Sequence, residues 1–533
     1  MANAKQRNNL QNAICLSHHV NARSKARQPS PLKDIIHFMS QEGMISFAGG
    51  LPHPSLFPIH RANFVVSNVS AGRALESNDE SVLELSSTAG SPTLVNFLQY
   101  GNGTGNPQLR QWCLDFTLQI HQPPYNDVEV LLHPGNTNAW SKVVGLLCEE
   151  GDHILCESFT YPSAQALWIP LGNFAAPIPM DDQGIRPDAL DQMLANWNAT
   201  HPGVRRPHVL YLVGVGSNPC GTTMREDRKR MIYSICSKYD IIIVEDDPYY
   251  FIQYSTYGAG NGASYELQPN DAFKETLAPS FLRYDYQGRV IRLESFSKSL
   301  APGLRLGYFV ANSSFTERLL RATEVETQDP AGLSQAVVLS ILRQWTVDGY
   351  LTWLQNLSNQ YQMRRDWMIS AFAKNFGLLP ASEFPDLNAD GLVAAIKTGS
   401  GSIPIFSFVP PVGGMFIWAM FHFSANPRYK ELRNNSKIED PEQTFAKELW
   451  MRFAENLVLL TPGSYYHPWQ GADKASTQAR GAEPETSHFR FSFAMVTRDD
   501  IELGVARMAE VNRVAIDFQF VCSLDWRAET FFQ

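Results

Sequence analysis

The chain is expected to fold as an α/β protein, a mostly parallel sheet covered by helices on both faces, followed by a second domain. Three observations predict this. Short, near-continuous apolar runs recur through the middle of the chain between turn signals, helix-length segments separate them, and apolar patterning restarts at Phe408–Phe421. Strands buried on both faces read as unbroken apolar runs, and parallel neighbours need crossovers long enough to hold a helix.

In chain order, Val128–Leu132, His153–Cys156, Val209–Val215, Ile241–Val244, Val290–Leu293 and Tyr308–Val310 read as buried strands. Asn138–Leu147 carries Ala139, Trp140, Val143, Val144 and Leu147 at helical spacing, and Gly151-Asp152 supplies the stop. Ser358–Phe376 reads as the helix leaving this domain, and Asp499–Val514 as a helix near the end of the second. Tyr254–Asn270, Leu387–Ser402 and Gln470–Ser487 read as surface loops, from their Gly, Ser and polar content and lost periodicity.

Composition narrows the functional classes. The 533 residues are 44% hydrophobic and 18% charged, ordinary for a globular enzyme with a large core. A net charge of −9 argues against non-specific nucleic-acid binding. No apolar run is long enough to span a bilayer. Seven dispersed cysteines without a CxxC pair suit reduced thiols and a cytoplasmic location. Residues 1–33 hold basic and no acidic side chains, the charge bias of a mitochondrial transit peptide. They contain no apolar h-region, so Asn-x-Ser/Thr triplets such as those at Asn68 and Asn198 carry no weight as glycosylation sites. No HExxH, GxSxG or Walker A occurs, and Gly101–Gly105 lacks the spacing and context of a dinucleotide loop.

What chemistry there is gathers after strands. The run Ser295-Phe296-Ser297-Lys298-Ser299-Leu300-Ala301-Pro302-Gly303-Leu304-Arg305 holds one amine, several hydroxyls and a guanidinium. An aldehyde cofactor bearing a phosphate needs that set: an amine to attach it, then hydroxyl and guanidinium groups for the dianion. Glu245-Asp246-Asp247-Pro248-Tyr249-Tyr250 follows the Ile241–Val244 strand, where open α/β sheets place ligands. A solvated acidic turn is the alternative there. Ser217-Asn218-Pro219-Cys220-Gly221 is also a common turn sequence. His133-Pro134-Gly135-Asn136-Thr137-Asn138 lies between a strand and a helix, where unpaired N–H groups favour a phosphate but a plain N-cap would read the same. Arg490 sits inside the aromatic run Phe489–Phe493; a buried arginine requires a carboxylate, either a substrate's or an internal one.

Taken in order from about Ser30 to Val511, these segments resemble the pyridoxal-phosphate (PLP) aminotransferases of fold type I, and among them the fungal aromatic-amino-acid and 2-aminoadipate aminotransferases. Arg27–Leu32, Ala48–Pro52, Val412–Trp418 and Leu460–Ser464 add to the likeness. The resemblance implies a fold type I PLP-dependent transferase, with a large domain of mostly parallel sheet covered by helices and a smaller α+β domain. The implied division is an arm over 1–30, small-domain residues 31–95, a PLP-binding large domain over 96–365 and the rest of the small domain over 366–533.

By the same resemblance Lys298 carries PLP and moves the substrate α-proton. Asp246 faces the pyridine nitrogen, Tyr249 and Asn218 the ring oxygen, and Tyr161 the ring face. Asn136, Thr137, Ser295 and Arg305 hold the phosphate. Arg490, with Asn218 and Gly50, binds the amino acid, and Tyr100 reaches the partner's site across a homodimer. The implied reaction moves the amino group of an L-amino acid, aromatic or else 2-aminoadipate or kynurenine, to a 2-oxo acid such as 2-oxoglutarate by a ping-pong mechanism. A β-lyase or decarboxylase of the same fold is the rival. A PLP-binding regulator is disfavoured because the stretch before Ser30 is too short for a DNA-binding helix-turn-helix. Two departures stand out: Cys220 where the family commonly has threonine, and a long insertion between Tyr250 and Val290.

Overall fold

The computed structural model describes residues 10–29, 41–45, 47–48, 50–69, 80–90, 92–101, 103–258, 265–399, 401–468 and 475–517, with side chains as far as 513. Ser30 and the start of the chain, and residues 259–264 and 470–474 of the 254–270 and 470–487 segments, lie outside the described residues.

Seven strands form the central sheet: β1 (Val128–His133), β2 (His153–Glu157), β3 (Phe174–Ile178), β4 (Val209–Leu212), β5 (Ile242–Asp246), β6 (Val290–Ser295) and β7 (Gly307–Asn312). They lie in the order β1-β7-β6-β5-β4-β2-β3. From β6 to β3 every pairing is parallel, and β7 runs antiparallel to both β6 and β1. Alternate residues feed opposite cores. Leu210, Leu212, Ile243 and Val290 pack on one face, and Val209, Tyr211, Ile242, Val244 and Ile291 on the other. This two-sided burial is why the sequence shows runs rather than alternation. The expected strand at Val209–Val215 stops at Leu212, and the one at Ile241–Val244 extends through Glu245 and Asp246. β3 carried no sequence signal, because Pro177 interrupts it; proline is tolerated there because β3 is an edge strand.

A second, wholly antiparallel sheet has its own aromatic core, with Phe372, Phe406, Phe421 and Phe491 ring against ring. Here the loop reading of Leu387–Ser402 fails: Leu392–Thr398 is a strand, paired antiparallel with Gly401–Phe408. The described part of the 470–487 segment is also tied down, since Thr477 donates its N–H and hydroxyl to Asp440, and Thr486 opens the strand Thr486–Ser492. Tyr254 is likewise held, its hydroxyl donating to the Gly414 carbonyl at 3.1 Å. The helical segment Gly332–Asn375 contains the expected helix at Ser358–Phe376, and Thr346 breaks its helical geometry. Arg61–Ser67 pairs antiparallel with Glu80–Ser86, and Leu83 and Leu85 of this pair, with Leu94 of the helix Leu94–Leu98, pack into the core of the seven-stranded sheet.

Candidate active site

The parallel strands β1, β2, β4, β5 and β6 deliver their polar loops to one edge of the sheet. Five sequence segments therefore converge: Gly135–Thr137 after β1, Tyr161 after β2, Asn218 after β4, Asp246 at the end of β5 and Lys298 after β6.

Asp246 is buried and accepts two hydrogen bonds of 2.7 Å, from the Asn136 amide on Oδ1 and from the Tyr211 hydroxyl on Oδ2. Burial raises its carboxyl above the ordinary carboxylate range, while these two donors and the Arg292 charge work the other way. Tyr211 escaped the sequence reading because a tyrosine inside the apolar run Val209–Leu212 reads as core. The Asn136 amide donates to Asp246 and to the Leu293 carbonyl at 2.9 Å, which leaves its main-chain N–H at the helix start. Tyr249 is buried with its ring edge-on to Phe416, and burial pushes its phenol pKa up.

Lys298 lies half-buried in the turn after β6, and burial, then the Arg305 charge, holds its amine below the usual lysine range. Arg305, in the left-handed region at φ 47°, donates to the Ser297 hydroxyl at 3.3 Å and to the Pro134 carbonyl at 3.2 Å. Ser297, which the sequence reading did not single out, thus bonds Arg305, and Ser295 Oγ accepts the Ser297 N–H at 3.1 Å. Gly135, at φ 103°, caps the helix Asn136–Leu147 without a side-chain bond. A Cβ there would stand 2.1 Å from Arg305 Nη2, so only glycine allows this approach.

Arg490 comes from the second sheet. It donates to Asn218 Oδ1 at 2.7 Å and to Thr461 Oγ1 at 3.3 Å, and its guanidinium lies 4.3 Å from the Phe416 ring centre and 5.3 Å from that of Tyr466. Its Nε is buried without a partner, and among the described residues no carboxylate pairs with it. The internal salt bridge left open by the sequence is absent from the described residues. Tyr161, half-buried ahead of the helix Pro162–Trp168, is near enough to raise the phenol pKa of Tyr211, Tyr249 and Tyr466. Thr137 is exposed at the helix start. Gly50 and Tyr100 are exposed on this chain and make no hydrogen bond to these groups.

A buried charge network underlies the loops. Arg292, in the middle of β6, meets Glu294 at 2.6 Å, Glu245 at 2.8 Å and Asp247 at 3.2 Å. Asp247 Oδ1 accepts the Val215 N–H at 3.1 Å and so ties down the loop that leads to Asn218. Asp247 and Asp246 are adjacent in sequence but face opposite sides of the sheet, one toward Arg292 and one toward Asn136.

PLP fits the residues present. A half-buried amine of lowered pKa suits its aldehyde, and a glycine-lined helix start beside Arg305 and Ser297 suits its phosphate. A buried carboxylate held by two neutral donors suits a protonated pyridine nitrogen.

Comparison with known proteins agrees with this geometry. Residues 93–508 match the family model described as aminotransferase class I and II. An aromatic amino acid aminotransferase of Schizosaccharomyces pombe is 37% identical over 506 residues, covering 93% of this chain and 97% of that protein. An L-tyrosine:2-oxoglutarate aminotransferase of Serpula lacrymans is 34% identical, covering 85% and 84%. The crystal structure of aminotransferase Aro8 from Candida albicans superposes with a TM-score of 0.81 at 32% identity, covering 95% and 99%. With the amine, the carboxylate and the guanidinium of one site in place on this fold, the chain belongs to the class I and II aminotransferases and is a PLP-dependent transaminase of fold type I.

Proposed function

We propose that the amino donor is an aromatic L-amino acid and the acceptor 2-oxoglutarate, exchanged in a ping-pong cycle. The carrying observation is Arg490, a guanidinium fixed by Asn218 and Thr461, set among Phe416 and Tyr466, with no protein carboxylate paired to it. Its fork suits the α-carboxylate common to every amino and 2-oxo acid. The aromatic surroundings suit an aromatic side chain, and the activities named for the S. pombe and S. lacrymans relatives point the same way.

When bound, PLP supplies the electron sink for the charge left as the substrate Cα–H bond breaks. The chain supplies the rest. Lys298 Nζ would hold the cofactor through its aldehyde and, once free, would carry the substrate α-proton; its lowered pKa favours the neutral, nucleophilic amine. Asp246 holds the proton on the pyridine nitrogen, Tyr249 and Asn218 address the ring oxygen, and Tyr161 covers the ring face. Ser295, Ser297, Arg305 and the N–H groups of Asn136 and Thr137 bind the phosphate.

The assembly proposed is a homodimer with shared sites. Ile45, Phe47 and Leu56 are at least 76% exposed and Tyr100 is exposed too, apolar surface suited to a partner subunit that Tyr100 would cross. Proposed divisions are the arm over 1–30, the large domain over 96–365 and the small domain over 366–533, with the hairpin of the 31–95 stretch on the large core. Among the described residues no helix is long and apolar enough to cross a membrane, and every described cysteine is free; a cytoplasmic location is proposed.

Assay of the purified protein against a panel of amino acids with 2-oxoglutarate tests the donor. The highest kcat/KM is expected for tyrosine, phenylalanine or tryptophan; a maximum at 2-aminoadipate or kynurenine would reject the aromatic assignment. Borohydride trapping and peptide mapping should place the pyridoxyl label on Lys298, and a label on another lysine would reject that role.

A further inference from the structure

We propose that His18, His19 and Asp240 form a binding site for a divalent transition-metal ion of the zinc type, separate from the catalytic centre. His18 Nε2 lies 2.7 Å from Asp240 Oδ2, and His19 Nε2 lies 3.0 Å from Oδ1. Three donor atoms, one from each residue, stand within 4.8 Å of one another. Two imidazoles and one carboxylate are a donor set that zinc takes in four-coordinate sites, with water in the fourth position.

The geometry needs small movements. Zinc bonds of about 2.1 Å at tetrahedral angles put donors about 3.4 Å apart, so the His18 and His19 contacts to Asp240 must open by about 0.7 and about 0.4 Å. The side chains of His18 and Asp240 are 57% and 51% exposed and can shift, whereas His19 is buried and its ring stacks on His208. The ion would bind each neutral imidazole at Nε2, whose proton moves to Nδ1 of the same ring, so that no net proton is released and nothing is oxidised or reduced. Arg289 opposes it: Nη1 lies 3.5 Å from Asp240 Oδ1, although the shorter bonds of this guanidinium go to Gln287 Oε1 at 2.6 Å and the Ile241 carbonyl at 2.9 Å. The site is therefore weaker than a closed structural zinc centre.

Its position gives the ion a role. His18 and His19 belong to the N-terminal strap, which is fastened elsewhere by Ile14 N–H to the Gln287 carbonyl and Asn21 N–H to the Leu146 carbonyl. Asp240 lies in the turn between the helix Glu226–Lys238 and β5, at the end of that strand away from Asp246. A bound ion cross-links strap and sheet about 20 Å of extended chain from the reacting centre.

Isothermal titration of chelator-treated full-length holoenzyme with ZnCl2, with MgCl2 as control, tests this. One zinc and no magnesium per chain is expected, with a rise in Tm. Asp240→Asn and His18→Ala, each checked for native circular dichroism, should each weaken zinc binding at least about tenfold, the scale of losing even an outer-shell partner. Transamination without zinc should be unchanged in both. X-ray absorption of the zinc-loaded wild type should show a nitrogen and oxygen shell containing imidazoles. No zinc uptake by the wild type, undiminished affinity in either variant, or a sulfur scatterer would overturn the site.

Discussion

Asn136 and Asp246, 110 residues apart in the chain, are joined by a 2.7 Å hydrogen bond from the Asn136 amide to Asp246 Oδ1. The bond spans the two ends proposed for the cofactor: Asn136 opens the helix at the phosphate end, and Asp246 closes β5 at the ring end. An amide N–H can only donate, so the contact favours the carboxylate anion against the burial that disfavours it.

Asp246→Asn should lower kcat/KM at least about a hundredfold, or ~2.7 kcal/mol, with the fold retained. An amide cannot accept from both Asn136 and Tyr211 and also offer a charge to the pyridine nitrogen. Tyr211→Phe removes one donor to an anion and should cost less, about 1.5–3 kcal/mol. Asp247→Asn should harm Tm more than turnover, because Asp247 pairs with Arg292 and holds the Val215 N–H. Steady-state kinetics beside thermal melting ranks the three; a larger kinetic loss at Asp247 would move the ring-facing role by one residue.

Arg490→Lys should weaken every amino and 2-oxo acid together, in both half-reactions. Lysine cannot reproduce the bidentate fork or the face-on stacking against Phe416. Losing one partner of a desolvated charge pair costs about 2–5 kcal/mol, which predicts a fall of roughly two orders of magnitude or more in kcat/KM. Single-turnover kinetics with several donors checks it: a loss confined to one donor class would make Arg490 a side-chain selector.

Gly135→Ala should raise the Kd for PLP at least about tenfold, since the added methyl meets Arg305 Nη2 and the positive φ is strained for alanine. Gly303→Ala, in the same turn region with open space around it, is the matched control and should be neutral. Absorbance titration of apoenzyme with PLP measures both. Equal affinities would show that Arg305 moves aside freely and is not positioned by this loop.

His133 links the phosphate loop to acid stability. Its ring is buried, Nδ1 accepts the Gly135 N–H at 3.1 Å, and burial lowers its pKa from 6.5 to about 3. The unfolded chain therefore takes up this proton first as pH falls. The stabilisation is complete above pH 6.5 and is lost progressively toward pH 3, about 2 kcal/mol of it between pH 6.5 and 5. His133→Gln retains an acceptor for Gly135 but cannot titrate, so its Tm should fall less between pH 7 and pH 5. An identical decline in variant and wild type would assign the acid sensitivity elsewhere, the buried His19 and the half-buried His422 having pKa values lowered by burial too.

Sequence order carried much of this site into view. Lys298, Asp246, Asn218 and Gly135–Thr137 each follow an apolar run, and a parallel sheet sends such positions to one edge whatever the loops between them do. The hairpin at Leu392–Phe408 was not legible, because a Gly/Ser turn and Pro404 masked two strands whose partners lie in the second sheet. Tyr211 and Ser297 were equally hidden, one inside a core strand and one beside the lysine that drew attention.

By itself, then, the sequence determined the α/β class, the family and the residue types of the reaction, since strand burial and loop chemistry are local properties of the chain. Which group each residue serves was decided only by tertiary structure. The Asn136 amide went to Asp246, Arg490 crossed from the second sheet to Asn218, and Asp247 went to Arg292 while its neighbour met Asn136 and Tyr211. The physical reason is that a hydrogen bond reaches only about 3 Å, and contacts over 110 or 272 residues depend on how whole sheets pack.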